Sequence, residues 1–190
     1  MRRIIRLSFA IAGAAALAAS AMALPVSAKD HDEAEFDLVP SSPAIAACFP
    51  DLQATVKVDL ETEARGRDEF KIKVKGAPAN EELTVFLLET PTAPFGAAEY
   101  IGDVITNSQG RGRNEFELIV QEAFSSTLVG EARVRKELNH VGIWFADPAA
   151  DDVCFGPGGG NVTPFDGDNE ASVQIMNSAN SLPGAPLPLP

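Results

Sequence analysis

Three groups of side chains in this sequence have the types and spacing to do chemistry. Asp166-Gly167-Asp168-Asn169-Glu170 places carboxylates and an amide side by side, hard oxygen donors of the kind calcium prefers. The metal reading takes Asp166, Asp168 and Glu170 as ligands, with Asp147, Asp151 and Asp152 as further donors if their loop folds alongside. A solvated acidic turn is the plainer reading and the one the sequence favours. An EF-hand loop would carry glycine at its sixth position and sit between helices, whereas Ala171 follows here and a strand comes next.

His140 is the second candidate, as the one histidine inside the expected folded part. A general base needs a nucleophile within reach and an acid to orient it. The chain has no Gly-x-Ser-x-Gly elbow, and Ser125-Ser126 falls where the pattern is ambiguous. A partly buried structural histidine is therefore preferred, and a hydrolase using His140 stands as an alternative. The carboxylate pairs Glu81-Glu82 and Glu115/Glu117 read as solvated loop or strand-face positions, which leaves glycosidase chemistry without support.

The third group is Cys48 and Cys154. Two cysteines in an exported chain most simply pair with each other. Such a bond would tie the start of the domain to its end, and a loop of that length adds about 4 to 5 kcal/mol in the chain-entropy account. The competing reading, a reactive thiol pair, lacks both a Cys-x-x-Cys spacing and a flanking basic cluster.

Strands must hold these groups. Val56, Val58 and Leu60 alternate with Lys57, Asp59 and Glu61, and Phe70, Ile72 and Val74 alternate with Lys71, Lys73 and Lys75. With Ala64 to Asp68 as the turn, period 2 predicts a hairpin with one wet face. Leu83 to Glu89 is nearly continuous apolar sequence and predicts a buried central strand, ended by Pro91 and Pro94. Glu99 to Thr106 and Asn114 to Val120, joined by Asn107 to Gly112, predict a second hairpin. Thr127 to Val134 reads as a strand, with helical turns over Glu131 to Leu138 as the alternative. Val141 to Ala146 and Ala171 to Asn177 supply the last strands. The fold class is all-β: an antiparallel β-sandwich, Ig-like or jelly-roll-like, of about eight strands with one disulfide.

One hexapeptide recurs. Arg65-Gly66-Arg67-Asp68-Glu69-Phe70 matches Arg111-Gly112-Arg113-Asn114-Glu115-Phe116 except for Asp against Asn. Equivalent hairpins explain it more simply than two copies of an arginine-bearing binding loop, because arginines flanking a turn glycine are ordinarily solvated.

The organisation predicted along the chain begins with a secretory signal peptide over residues 1–28. Arg2, Arg3 and Arg6 precede an uncharged run from Leu7 to Leu24, with cleavage after Ala28 preferred to cleavage after Ala23. An uncleaved anchor is the alternative. Residues 29–43 read as an acidic flexible arm, 44–178 as the sandwich and 179–190 as a proline-rich tail. The chain has 15 basic and 27 acidic residues, net −12. Cleavage removes three arginines and no acids, leaving 12 against 27, net −15. That sign opposes binding to nucleic acid and to an anionic membrane surface.

His140 to Asn177 contains Val141-Gly142-Ile143-Trp144-Phe145, Val162-Thr163-Pro164-Phe165-Asp166-Gly167-Asp168 and Val173-Gln174-Ile175-Met176-Asn177. Upstream stand Pro94-Phe95-Gly96 and Tyr100-Ile101-Gly102-Asp103. Together these segments resemble a group of secreted bacterial β-domain proteins with no assigned activity. The resemblance implies export and a single β domain and carries no catalytic residue. The expected product is a secreted, extracellular binding or surface-interaction module with no cofactor, calcium being the alternative. It would take a protein or carbohydrate ligand through loops such as Phe95 to Tyr100 and Phe155 to Asp168.

Overall fold

The computed structural model describes residues 33–120, 123–163 and 170–178. The expected signal peptide, Asp166, Asp168 and the proline-rich tail lie outside the described residues. The described chain builds β1 (Glu33–Pro40), α1 (Pro43–Cys48), β2 (Gln53–Asp59), α2 (Thr62–Arg65), β3 (Asp68–Lys75), β4 (Glu82–Leu88) and β5 (Ala98–Ile105). It continues through β6 (Gly112–Leu118), β7 (Phe124–Val129), β8 (Ala132–Glu137), β9 (His140–Phe145), α3 (Asp152–Phe155) and β10 (Gln174–Asn177).

Eight strands form one antiparallel sheet in the order β5-β4-β9-β10-β1-β2-β3-β6, and β7 and β8 form a separate two-stranded ribbon. β1 pairs along its length with β2 but meets β10 only at Val39 and Pro40. The sheet turns there, so β5-β4-β9-β10 makes one layer of a sandwich and β1-β2-β3-β6 the other. Alternation drives the closure. Val56, Val58, Phe70 and Ile72 from one layer and Leu83, Val85, Leu87, Ile143 and Phe145 from the other belong to a single core and are fully buried. Each such side chain stabilises the fold by about 1.5 to 3 kcal/mol relative to exposure.

The two edge strands come together and nearly close a barrel. Asn114 Nδ2 donates to the Asp103 carbonyl at 2.6 Å. The Phe116 ring lies against Gly102, where a β-carbon would stand 2.5 Å from it. The turn between β5 and β6 was expected to join a second hairpin. Instead its strands part, β5 pairing with β4 and β6 with β3. A turn of Asn, Ser and Gly fixes a reversal of direction, but not which neighbour each strand takes.

A second correction concerns residues 33–40. Their charge suggested a flexible arm, yet they form β1, an inner strand of the sheet. Phe36 and Leu38 are buried in the core. Glu33, Glu35 and Asp37 occupy the alternate positions, where Lys57 pairs with Glu33 at 2.8 Å and Thr55 donates to Asp37 at 2.7 Å. Acidic residues every second place are compatible with a strand that has one wet face. The region expected as one strand from Thr127 to Val134 is the ribbon β7–β8, folded at Gly130 with φ +62°.

Cys48 and Cys154 are bonded, with Cα atoms 5.6 Å apart across a separation of 106 residues. The bridge joins the end of α1 to α3. The repeated hexapeptides also find their place. Phe70 stands opposite Phe116 in the β3–β6 ladder, Asp68 opposite Leu118 and Asn114 opposite Ile72. Equivalent residues of the two copies therefore pair reciprocally about the two phenylalanines, whose ring centroids are 6.2 Å apart. The copies build one edge of the core, and their arginine pairs lie at opposite ends of the ladder.

Candidate functional site

The layer β5-β4-β9-β10 is apolar on its outer face as well. Phe86 and Leu88 of β4 and Trp144 of β9 point away from the main core and form a second cluster with Ala171, against which Phe95 and Tyr100 pack. The rings meet edge to face: Trp144 with Phe95 at 5.1 Å, Trp144 with Phe86 at 5.2 Å and Phe86 with Tyr100 at 5.9 Å. Such pairs contribute about 0.5 to 1.5 kcal/mol each beyond area burial.

Two loops cross this face and leave a groove between them. Loop 89–97 is held at its base by reciprocal bonds between Glu89 and Ala97, and Thr90 Oγ1 donates to the Pro94 carbonyl at 2.6 Å. Gln174 latches it to the sheet, its Nε2 donating to the Pro91 carbonyl at 3.0 Å. The opposite wall is the glycine-rich segment 155–163. Gly158 N–H donates to Asp152 at 3.0 Å, and Gly160 lies so close to the Asp151 carboxylate that a β-carbon would overlap it. α1 closes one end through Ser42 and Ile45.

The groove encloses about 590 Å³, with Trp144, Phe95, Phe155, Val162, Val173 and Ile45 among its lining. A second hollow of about 230 Å³ shares Phe95, Trp144 and Thr163 with the groove. Among the polar residues at the groove, Ser41, Ser42, Thr163 and Gln174 already hydrogen-bond within the protein. The Asn161 amide and the Thr92 hydroxyl are exposed and have no partner among the described residues. An apolar cleft with a few unengaged donors and acceptors at its rim is the usual form of a small-ligand site. Phe95 and the segment from Phe155 were named from sequence as contact loops, and the structure brings them to one groove. From sequence, Trp144 reads only as a core residue. Its apolar neighbours on both sides hid the fact that β9 is buried on two faces.

The residues proposed for chemistry are arranged otherwise. His140 opens β9 half-buried, with Nδ1 3.3 Å from Ser178 Oγ. Ser178 is fully buried and its hydroxyl accepts the Val141 N–H at 3.1 Å. Among the described residues no carboxylate contacts His140, and burial holds its imidazole below the ordinary value. Glu170 is exposed, while Asp166 and Asp168 lie outside the described residues. The further donors are engaged elsewhere: Asp151 is buried and accepts from Ser172 Oγ at 2.5 Å, Asp147 accepts the Ala149 N–H, and Asp152 accepts the Gly158 N–H. Among the described residues no group of three or more histidine, cysteine or acidic side chains is arranged to hold a metal ion.

Sequence reasoning missed Asp68. It is fully buried and accepts from the N–H of Glu61 at 2.8 Å, the N–H and hydroxyl of Thr62 at 2.9 and 2.6 Å, and the Val120 N–H at 2.9 Å. Four donors satisfy the carboxylate and fix the β2–β3 connection to the end of β6. The role is structural. No family model, curated protein or solved structure matches this chain.

Proposed function

We propose that this protein is an exported, non-catalytic binding module whose ligand seats in the groove over Trp144. The observation that carries the reading is the convergence of loop 89–97 and segment 155–163 on one aromatic floor. The reading is supported by the disulfide, which ties α3, ending in Phe155, to α1 and so braces two walls of the groove. A ligand of matching chemistry has an apolar face set against Phe95 and Trp144 and hydroxyl or carbonyl groups for Asn161 and Thr92. A neutral sugar ring and an extended peptide both meet that description.

Trp144 is the only tryptophan in the chain, so its emission reports on the groove directly. Titration with neutral oligosaccharides and, separately, with short apolar peptides should give a saturable change in emission for one class. Phe95→Ala should weaken that binding by about tenfold or more, as loss of an aromatic anchor does. If neither class changes the emission, or if Phe95→Ala leaves the affinity unaltered, the groove is not the binding site. Turnover of esters, glycosides or peptides that disappears in His140→Gln would overturn the non-catalytic reading.

A further inference from the structure

We infer that the outer face of β3 and β6 binds an anionic polysaccharide through Lys73 and Arg113. The two residues stand directly opposite each other in the ladder, and both are exposed. Like charges in that relation destabilise a sheet. Lys75 ends β3 and Arg111 immediately precedes β6, so two more exposed cations flank the pair.

Most of the rest of this face is neutralised, the exception being the exposed Glu115, which stands opposite Lys71 at the border of the pair. Lys57 pairs with Glu33 and Asp59 at 2.8 and 3.0 Å, and Lys71 with Asp59 and Glu69 at 2.7 and 2.5 Å. Arg67 pairs with Glu117 at 2.7 Å, and Arg65 with Glu69 at 2.6 Å. Among the described residues Lys73, Lys75, Arg111 and Arg113 have no carboxylate partner. The net charge of −12 opposes any polyanion at long range, so the attraction is local to these four cations, which stand unneutralised and side by side, and is felt within about a Debye length, roughly 10 Å, of them.

A shallow hollow of about 390 Å³ lies over the pair, with Lys71, Asn114 and Glu115 at its border. It is open and lacks buried donors, which suits an extended chain of repeating anions better than one enclosed oxyanion. Neighbouring β2 adds the neutral Thr55 and Gln53 opposite Lys73 and Lys75. In that row the exposed Gln53 offers an amide to sugar hydroxyls, while the Thr55 hydroxyl already donates to Asp37. The backbone groups of β3 are already paired on both sides with β2 and β6, so an acidic peptide could add as a strand only along the outer edge of β6, part of which Asp103 of β5 occupies by accepting from Asn114.

The test uses the purified protein and immobilised polygalacturonate, with neutral dextran and polyglutamate as comparisons. At low ionic strength the protein should bind polygalacturonate and not dextran, and added salt should weaken the binding. The double variant Lys73→Gln/Arg113→Gln should bind about tenfold more weakly or worse, with a melting temperature equal to or above that of the parent, because a like-charge pair has been removed. Lys57→Gln/Arg67→Gln changes the net charge by the same amount and should retain binding. Absence of binding to polygalacturonate, equal loss in both double variants, or equal or tighter binding of polyglutamate each overturns the inference.

Discussion

Gly142 lies beneath the indole of Trp144: a β-carbon at position 142 would stand 2.4 Å from Cζ3 of that ring and 2.7 Å from Nε2 of Gln174. The glycine lets the ring fold back over β9 and lets Gln174 reach the loop carbonyl of Pro91. Gly142→Ala should therefore displace the indole, shift its emission to longer wavelength and loosen loop 89–97. Overpacking of this kind costs about 1 to 3 kcal/mol, measurable as a lower midpoint in urea. An unchanged emission spectrum in a folded variant would contradict this placement of the ring.

Replacing Cys48 and Cys154 together by serine should lower the unfolding free energy by about 4 to 5 kcal/mol if the bond acts by restricting a loop of 106 residues. The same variant frees α3 from α1, so ligand binding in the groove should fall by more than in a variant matched for stability but altered elsewhere. Denaturant midpoints and groove affinity, measured side by side, separate the two effects.

Asp68 meets four donors and has no exposed surface. Asp68→Ala leaves those donors unpaired in the interior and should destabilise the protein by about 3 to 5 kcal/mol. Asp68→Asn keeps one acceptor oxygen for Glu61 and Thr62 but turns an amide donor toward the Val120 N–H, and should cost about 1 to 3 kcal/mol. Equal losses in the two neutral variants would show that charge, and not acceptor geometry, is what position 68 supplies.

Burial lowers the pKa of His140 in the folded chain. Below its ordinary value the unfolded chain then binds more protons than the folded one, so stability falls as pH drops through that value and levels off once pH is below the folded pKa. Glu69, held low by Lys71 and Arg65, and Glu89, held low by Lys136 and the Ala97 N–H, act in a separate and more acidic window. Their contribution is present above the ordinary carboxylate range and is lost as pH falls from that range through their lowered folded values. Melting temperatures recorded from neutral to mildly acidic pH should decline in the parent, and His140→Gln should flatten that decline while leaving the more acidic loss in place.

Much of the fold was legible because alternation survives without context. Val56 with Val58, and Phe70 with Ile72, mark one face of two strands, and the hairpin they predict is present in register. The nearly continuous apolar run from Leu83 predicted a buried central strand, and Phe86 and Leu88 do face a second cluster on its other side. The disulfide followed from cysteine count. The separation of β5 from β6 was not legible, because a turn sequence constrains a few residues whereas strand pairing is decided by the packing of whole layers. Nor was β1 legible from residues 29–43, where charge concealed Phe36 and Leu38 at alternate positions.

Composition, period and cysteine count determine that this chain folds as antiparallel β-structure closed by one covalent bond. They act through local geometry: a pleated strand sends alternate side chains to opposite faces wherever it ends up. The groove over Trp144, the buried carboxylate of Asp68 and the facing cations Lys73 and Arg113 were decided only by tertiary structure. Each depends on residues distant along the chain being brought within a few ångströms by the turning of one sheet into two layers, and the order in which strands become neighbours is not written in the pattern of any one of them.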